Sequence, residues 1–243
     1  MDDLDAITRL PDDFDGRVRL FPLPDLVLFP HAMQPLHIFE PRYCEMLNEA
    51  LAGDHLIAMA TLTGGDSESV MAEPTIASTV CLGRIISHAE VEEGRHNILL
   101  VGVRRAKVVT EFDAGRAFRM ANVEVLDDFY PPSGKPHRGQ LKSELLGAFG
   151  EVIPASANAE QNLHELMAGQ MGLGPITDII SYTLPFTLEE KLQLLGNADV
   201  DARAADLARL LKSGSVNLHS VDSVETAVPG RRNQEFPPPF SVN

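Results

Sequence analysis

The chain has 243 residues and a formal net charge of −15 at pH 7, which argues against a general nucleic-acid binder because affinity for phosphates depends on clustered cations. No apolar run approaches the roughly 18–20 residues of a membrane span, and the acidic start differs from a secretory signal. Two cysteines cannot build a disulfide framework. Because the sequence also shows neither an export signal nor a membrane span, we expect a cytoplasmic protein without membrane attachment.

The first part of the chain alternates short extended runs with prolines. Residues 1–15 are polar and acidic, and we expect them to form a flexible arm. Prolines then exclude a continuous helix, so residues 18–38 should form short strands joined by an apolar loop at 26–30. Pro41 suits the first turn of a helix, whose apolar face runs from Tyr43 to Leu51.

Four further segments have the pattern of β-strands. They cover residues 55–62, 79–90, 97–110 and 117–126. Turn-forming residues separate them, including a Gly/Ser/Glu-rich stretch at 63–74 that we expect to be a mobile loop, and a hairpin turn at 92–95. Strands that recur at this spacing predict a barrel or sandwich for residues 16–130.

Helical periodicity replaces the strand pattern after the Pro-Pro-Ser-Gly sequence at 131–134. We expect residues 129–136 to be a surface linker and residues 131–213 to form a helical bundle. Apolar stripes indicate helices within 141–149, 163–170, 176–180, 192–195 and 200–211. Thr187 and Glu190 have the spacing of a capping box, and Asp199 is placed to cap the last helix. Residues 214–243 are polar and then proline-rich, which predicts a flexible tail.

The sequence carries no recognisable catalytic motif. The Gly-Lys pair at 134–135 precedes proline and lacks the first glycine of a phosphate-binding loop, and no G-x-S-x-G occurs. His88 and His96 flank the predicted hairpin, but two histidines without a further ligand at metal-binding spacing give a weak metal signal. Free cysteines such as Cys44 and Cys81 are usually small buried hydrophobes. We therefore expect no cofactor and no metal.

One segment, residues 84–119, is locally basic. Its candidates for a surface that binds an anionic ligand are Arg84, Arg104 and Arg105. The simpler interpretation is that alternating strand positions spread these cations over one solvated face.

An ordered set of motifs resembles a known family. The set begins with LFPLPDLVLFPH at 20–31 and PLHIFEPRY at 35–43, continues with GRII at 83–86 and GVRR at 102–105, and ends with DIISYTLP at 178–185 and EKLQLL at 190–195. Together, over residues 17–212, they resemble the amino-terminal, substrate-binding domain of Lon proteases, in the form of short bacterial proteins built from that domain alone. His31 is a departure, since glycine is expected there in many members.

The resemblance implies an α+β fold, with a small PUA-like (pseudouridine-synthase-associated) β-barrel followed by an α-helical bundle. It also implies a non-catalytic role in substrate recognition and assembly. Because the ATPase and Ser/Lys peptidase modules of full-length Lon do not follow here, we expect no enzymatic activity from this sequence.

These observations favour a non-enzymatic module that binds polypeptide segments or partner proteins in proteolysis or quality control. Apolar candidates for its binding surface are Leu26, Leu28, Phe29 and Phe39, although each of them taken alone is better explained as filling the barrel. The alternative is a PUA-like barrel with a nucleic-acid or nucleotide ligand, which the acidic charge and the absence of Trp weaken. A third hypothesis is a small hydrolase whose catalytic residues are dispersed along the sequence, but no arrangement of residues in the sequence supports it.

Overall fold

Six β-strands and five α-helices make up the part of the chain that the computed structural model describes, residues 8–63, 74–91, 94–152 and 171–213. The strands are β1 Arg17–Leu23, β2 Met33–Ile38, β3 Leu56–Thr61, β4 Thr79–Val91, β5 Arg95–Phe112 and β6 Met120–Leu126. The helices are α1 Pro41–Leu51, α2 Arg138–Val152, α3 Leu173–Thr183, α4 Leu188–Gly196 and α5 Val200–Lys212. This order confirms the α+β class predicted from the sequence.

Five of the strands close into a barrel. β1 pairs in parallel with β3 and antiparallel with β6, and β3–β4, β4–β5 and β5–β6 are antiparallel pairs that complete the ring. β5 is 18 residues long, so its first part also pairs with β2 and its last part with β6. Register shifts in the β4–β5 and β5–β6 pairs bend the strands, as closure of a small barrel requires.

The two faces of the barrel strands bury different kinds of side chain. One face carries mainly small residues and forms the smaller core cluster, with Val18, Leu20, Ala58, Ala60, Val80, Leu82, Ala106, Ala121 and Val123. Alternating positions on the same strands, such as Phe21, Ile57 and Met59, belong to a larger cluster that also contains residues of α1 and of all four later helices. The barrel and the helices therefore share one continuous core.

Helix α1 buries the apolar face that the sequence predicts. Tyr43, Met46, Leu47 and Ala50 are buried, and Tyr43 packs against Phe21 with ring centroids 4.6 Å apart. Pro41 stands in the first turn of the helix, where its missing N–H costs no hydrogen bond.

The apolar loop between β1 and β2 packs closely on β5. The His31 N–H donates to the Gly102 carbonyl, and a Cβ at Gly102 would collide with the Phe29 carbonyl oxygen. His31 has a φ of 66°, in the left-handed region that favours glycine, which fits the expectation of glycine at this position.

Side-chain caps mark the first residues of α4 and α5, as the sequence predicts. Thr187 and Glu190 form both hydrogen bonds of the predicted capping box, and the Asp199 carboxylate accepts from the Ala202 N–H at the start of α5. The stripe predicted at 163–170 lies outside the described residues, as do most of the 63–74 loop, residues 92 and 93 of the hairpin and the tail at 214–243.

The predicted linker at 129–136 lies at the surface, with Phe129 57% exposed, yet it is held in place. The Phe129 N–H donates to the Ala198 carbonyl at 2.9 Å, and the Val200 N–H donates to the Phe129 carbonyl at 3.0 Å. Arg138 then pairs with Asp201 at 2.6 Å. The connection is therefore docked on the start of α5.

Of the arm predicted to be flexible, residues 1–15, the described residues 8–15 pack on the barrel, and residues 1–7 lie outside the described residues. Leu10 and Phe14 pack against the smaller core cluster, and Thr8 is buried. Backbone carbonyls of this segment also accept hydrogen bonds from arginines of β4 and β5. Two apolar side chains and two arginine hydrogen bonds from distant strands hold the segment on the barrel, and hydrophobic periodicity cannot reveal so few contacts.

We predict that Gly102→Ala destabilises the protein by about 2 kcal/mol or more, because the added methyl group meets rigid backbone of the 26–32 loop. Gly147→Ala is the matched control. Gly147 is exposed in α2, and apart from its chain neighbours and the backbone of its own helix no atom lies within 4 Å of the new Cβ. This variant should gain roughly 0.5–1 kcal/mol in helix propensity. Urea unfolding of both variants measures the difference, and equal stability of the two would contradict the close approach.

Leu47→Asp should lower the free energy of unfolding by about 3 kcal/mol or more, because it places a carboxylate in the larger core cluster. Asn48→Asp introduces the same side chain at the exposed neighbouring position of α1 and should change stability by less than about 0.5 kcal/mol. Thermal and urea unfolding measure both effects. A stable Leu47→Asp variant that lost only partner binding would identify α1 as a recognition surface.

Candidate functional site

Arg105, a sequence candidate for an anion-binding surface, is instead buried between the barrel and the helices. Its side chain is 2% exposed and forms ion pairs with Asp128 and, at 2.5 Å, with Asp178 of α3. Its Nε donates to the Leu195 carbonyl at the end of α4. Arg203 of α5, which is also fully buried, contacts the same two carboxylates. The prediction for Arg105 is therefore wrong, because its guanidinium is satisfied within the fold.

Asp178 is the most strongly buried carboxyl of this four-residue ionic cluster. Its Oδ1 faces both arginines, while Oδ2 has no hydrogen-bond partner among the described residues. Burial raises the pKa of Asp178 to about 6, and this effect outweighs the two arginines, which lower the pKa. The cluster thus joins β5, α3 and α5, but it buries the Asp178 carboxyl in a place where its charged form is poorly solvated.

Arg84 and Arg104 do not form an open anion site either. Arg84 donates to the Arg9 carbonyl at 2.7 Å and Arg104 to the Thr8 carbonyl at 2.9 Å. Both side chains therefore hold the amino-terminal segment against the barrel. The structure brings Arg84 and Arg104 together on the amino-terminal segment, whereas Arg105 lies apart from them in the buried ionic cluster.

The four apolar candidates also separate. Leu28 and Phe29 are 1% and 0% exposed and lie in the larger cluster outside the barrel, so the proposal that they form a binding surface does not fit their burial. Leu26 is half-buried against that cluster, whereas Phe39 is 62% exposed and stacks on His37. Only Phe39 remains as a freely exposed apolar side chain of this set.

A different feature, a groove of about 640 Å³, is the best candidate for a binding site. Five parts of the chain form its walls: the end of β1, the start of α1, the connection between β5 and β6 with the adjoining strand ends, Leu62 after β3, and Pro74 before β4. Its apolar residues are Pro22, Leu23, Pro24, Tyr43, Leu62, Pro74, Phe112, Ala114, Ala117, Phe118 and Met120. Tyr43 and Phe118 are nearly buried at its base, and burial raises the pKa of the Tyr43 hydroxyl.

Charged side chains line the same groove, here called the β1–α1 groove. Arg42 pairs with Glu40 at 2.8 Å, and Arg119 holds Glu111 through two hydrogen bonds of 2.7 Å. Arg119 also donates to the Pro74 carbonyl, and a second recess of about 470 Å³ adjoins the groove along Pro74, Glu111 and Arg119. The two recesses together offer an extended path that apolar and polar groups line in about equal measure.

Sequence patterns do not predict this groove, because each of its walls looks locally like part of a helix or a strand. Glu40, Arg42 and Tyr43 fit the beginning of a helix, and Arg116 and Arg119 fit a basic strand segment. The cluster of prolines near residues 22–24 is the one local signal, since proline-rich loops expose apolar surface without regular hydrogen bonding.

The histidines and cysteines show no metal chemistry in the described part of the chain. His88 Nε2 and His96 Nδ1 lie 2.9 Å apart across the hairpin strands, but no group of three or more His, Cys, Asp or Glu side chains there is arranged to hold an ion. Cys81 is buried, and burial raises the pKa of its thiol. Within the same residues no helix is both long and apolar enough to cross a bilayer.

A small barrel followed by packed helices is also the architecture of solved amino-terminal domains of Lon proteins. The N-terminal domain of the Mycobacterium avium complex Lon protease matches with a TM-score of 0.62 at 17% identity, over 81% of this chain and 98% of that one. A Lon N-terminal domain protein from Xanthomonas campestris matches with a TM-score of 0.57 at 20% identity, over 79% and 97%. These likenesses show that the chain has the fold of Lon N-terminal domains.

Residues 17–213 match the family of the ATP-dependent protease La (LON) substrate-binding domain, and the chain belongs to that family. Among curated proteins, the Lon protease of Solibacter usitatus is 29% identical over 201 residues, and that of Desulfosudis oleivorans is 23% identical over 217 residues. These alignments cover 80% and 89% of this chain but only 24% and 26% of the two proteases. The chain thus spans about a quarter of the length of these relatives.

The raised pKa of Asp178 predicts the direction of a pH effect. Because the folded pKa of about 6 lies above the ordinary 3.8, the folded state keeps this proton to a higher pH than the unfolded state does. The contribution of Asp178 to stability should therefore fall as the pH rises from about 4 to about 6, and level off above that range.

Urea unfolding of the wild type and Asp178→Asn across this pH range measures the effect as the difference between the two stabilities. A carbon-13 NMR titration of the Asp178 carboxyl gives the same pKa without a substitution. A carboxyl that titrates at or below 3.8 would contradict the prediction.

Proposed function

We propose that this chain is a non-catalytic binding module that recognises extended polypeptide segments in the β1–α1 groove, in the context of proteolysis or protein quality control. Membership of a substrate-binding domain family supports the ligand class. The observation that carries the proposal is the groove itself, which combines apolar and aromatic walls with a charged rim.

The shape of the groove suits an extended chain. Its volume of about 640 Å³ adjoins a further 470 Å³ along Pro74 and Arg119, which is room for several consecutive side chains. An unfolded client exposes the apolar side chains that a folded one buries, so apolar walls favour unfolded segments. Phe39, next in sequence to the groove residue Glu40, is placed to extend the apolar contact surface.

The chemistry of the groove supports binding without turnover. No Ser, Thr, Cys, Lys or His is found among the described residues that line it, so it lacks the side chains that act as nucleophile and base in serine, threonine and cysteine peptidases. The adjoining recess contains Thr75 and Ser78 but no Lys or His beside them. We propose that the chain has neither ATPase nor peptidase activity of its own. The nucleic-acid alternative receives no support from Arg84, Arg104 and Arg105, since each is engaged within the protein.

The proposal is tested by filling the groove. Ala114→Gln together with Ala117→Gln adds two longer neutral side chains to its lining, and should weaken binding of reduced, carboxamidomethylated lysozyme at least about tenfold. Fluorescence anisotropy of the labelled unfolded protein gives the Kd. Folded lysozyme has the same sequence and should bind weakly to both proteins.

Ala202→Gln with Ala205→Gln is the matched control, because these exposed alanines lie on α5 away from the groove lining. The control should bind like the wild type. If the two double variants bind unfolded lysozyme equally well, the groove is not the binding site, and if the wild type does not bind it at all, the proposed function is wrong.

A further inference from the structure

The arginines of the β1–α1 groove are already neutralised by carboxylates of the protein. Arg42 pairs with Glu40 at 2.8 Å, and Arg116 pairs with Glu49 at 2.7 Å. Arg119 is held by both oxygens of Glu111. An anionic group of a ligand would have to displace one of these carboxylates before it gained a cation.

Asp113 is the exception on the acidic side of the groove. It lines the groove, is exposed, and forms no ion pair among the described residues. Its Oδ1 accepts a hydrogen bond from the Gly115 N–H at 2.8 Å, and no hydrogen bond to its Oδ2 is found among the described residues. Arg42, Arg116 and Arg119 are paired with Glu40, Glu49 and Glu111, so Asp113 is the one charged residue of the lining without an oppositely charged partner among the described residues.

From these contacts we infer a specificity that rests on the proposed polypeptide-binding function. We propose that the groove prefers segments in which apolar residues are flanked by lysine or arginine, and that Asp113 is the specificity-determining residue that pairs with this cation. The apolar walls take the central side chains, and the Asp113 carboxylate accepts hydrogen bonds from the flanking ammonium or guanidinium group.

The net negative charge of the whole protein also favours cationic peptides, but it does not create the preference that we assign to Asp113. A net charge of −15 attracts any cationic polypeptide and speeds association over the whole surface. The local contribution of Asp113 must therefore be separated from this general attraction. Asp113→Asn keeps an oxygen acceptor for the Gly115 N–H while removing the charge.

The experiment uses the full chain and three unstructured ten-residue peptides with a Leu-Phe-Leu centre. The peptides differ only in the two residues that flank this centre, which are Lys, Gln or Glu. Fluorescence anisotropy gives the Kd of each peptide for the wild type, for Asp113→Asn and for Asp13→Asn. Asp13 is exposed, lies outside the groove and forms no ion pair in the described structure, so its replacement matches the change in net charge.

We expect the wild type to bind the Lys peptide about threefold more tightly than the Gln peptide, with the Glu peptide weakest. Asp113→Asn should remove the gap between Lys and Gln, and Asp13→Asn should preserve it. Equal Kd values for Lys and Gln, or an equal loss in both variants, would overturn the role of Asp113 while the polypeptide-binding function stood. Absence of binding by all three peptides, with unfolded lysozyme still bound, would overturn the specificity proposal alone, and absence of binding by the peptides and by unfolded lysozyme would overturn the proposed function as well.

Discussion

The buried ionic cluster of Arg105, Asp128, Asp178 and Arg203 fixes how the helices sit on the barrel. Each arginine contacts both carboxylates, and Arg105 also donates to the end of α4. Buried charges are costly unless they are paired, so separation of the two parts would leave four charges without partners or expose them to water. The shared hydrophobic core adds apolar burial to the same junction. Barrel and helices therefore behave as one structural unit.

The β1–α1 groove is separate from this junction, since none of the four residues of the ionic cluster lines it. α1 and the 26–32 loop pack on the outer face of the strands, and close approach of the loop to Gly102 leaves no room for adjustment. The ends of β1 and β5 then meet the start of α1, and a groove remains between them because no helix of the described chain covers it. The candidate site is thus formed by connections placed on a rigid barrel, which is where binding residues are commonly found.

Residue type alone does not show whether a charged or apolar side chain is exposed for binding or engaged within the fold. Arg84, Arg104 and Arg105 form a basic segment in the sequence, but two of them hold the amino-terminal segment and the third is buried against Asp178. The apolar loop residues Leu28 and Phe29 are compatible with exposure or burial in the sequence, and packing decides for burial. Arg105 and Asp178 are 73 positions apart, so no local pattern announces their pairing.

The sequence by itself determined the elements and their order, because helix and strand periodicity and caps such as Thr187 with Glu190 depend on neighbours a few residues apart. It also carried the family motifs, which the match over residues 17–213 bears out. The tertiary structure alone decided which charges are buried and which side chains meet in the groove. Those outcomes depend on the closure of β6 onto β1 and β5, which brings Leu23, Tyr43 and Asp113 to one site from distant parts of the chain.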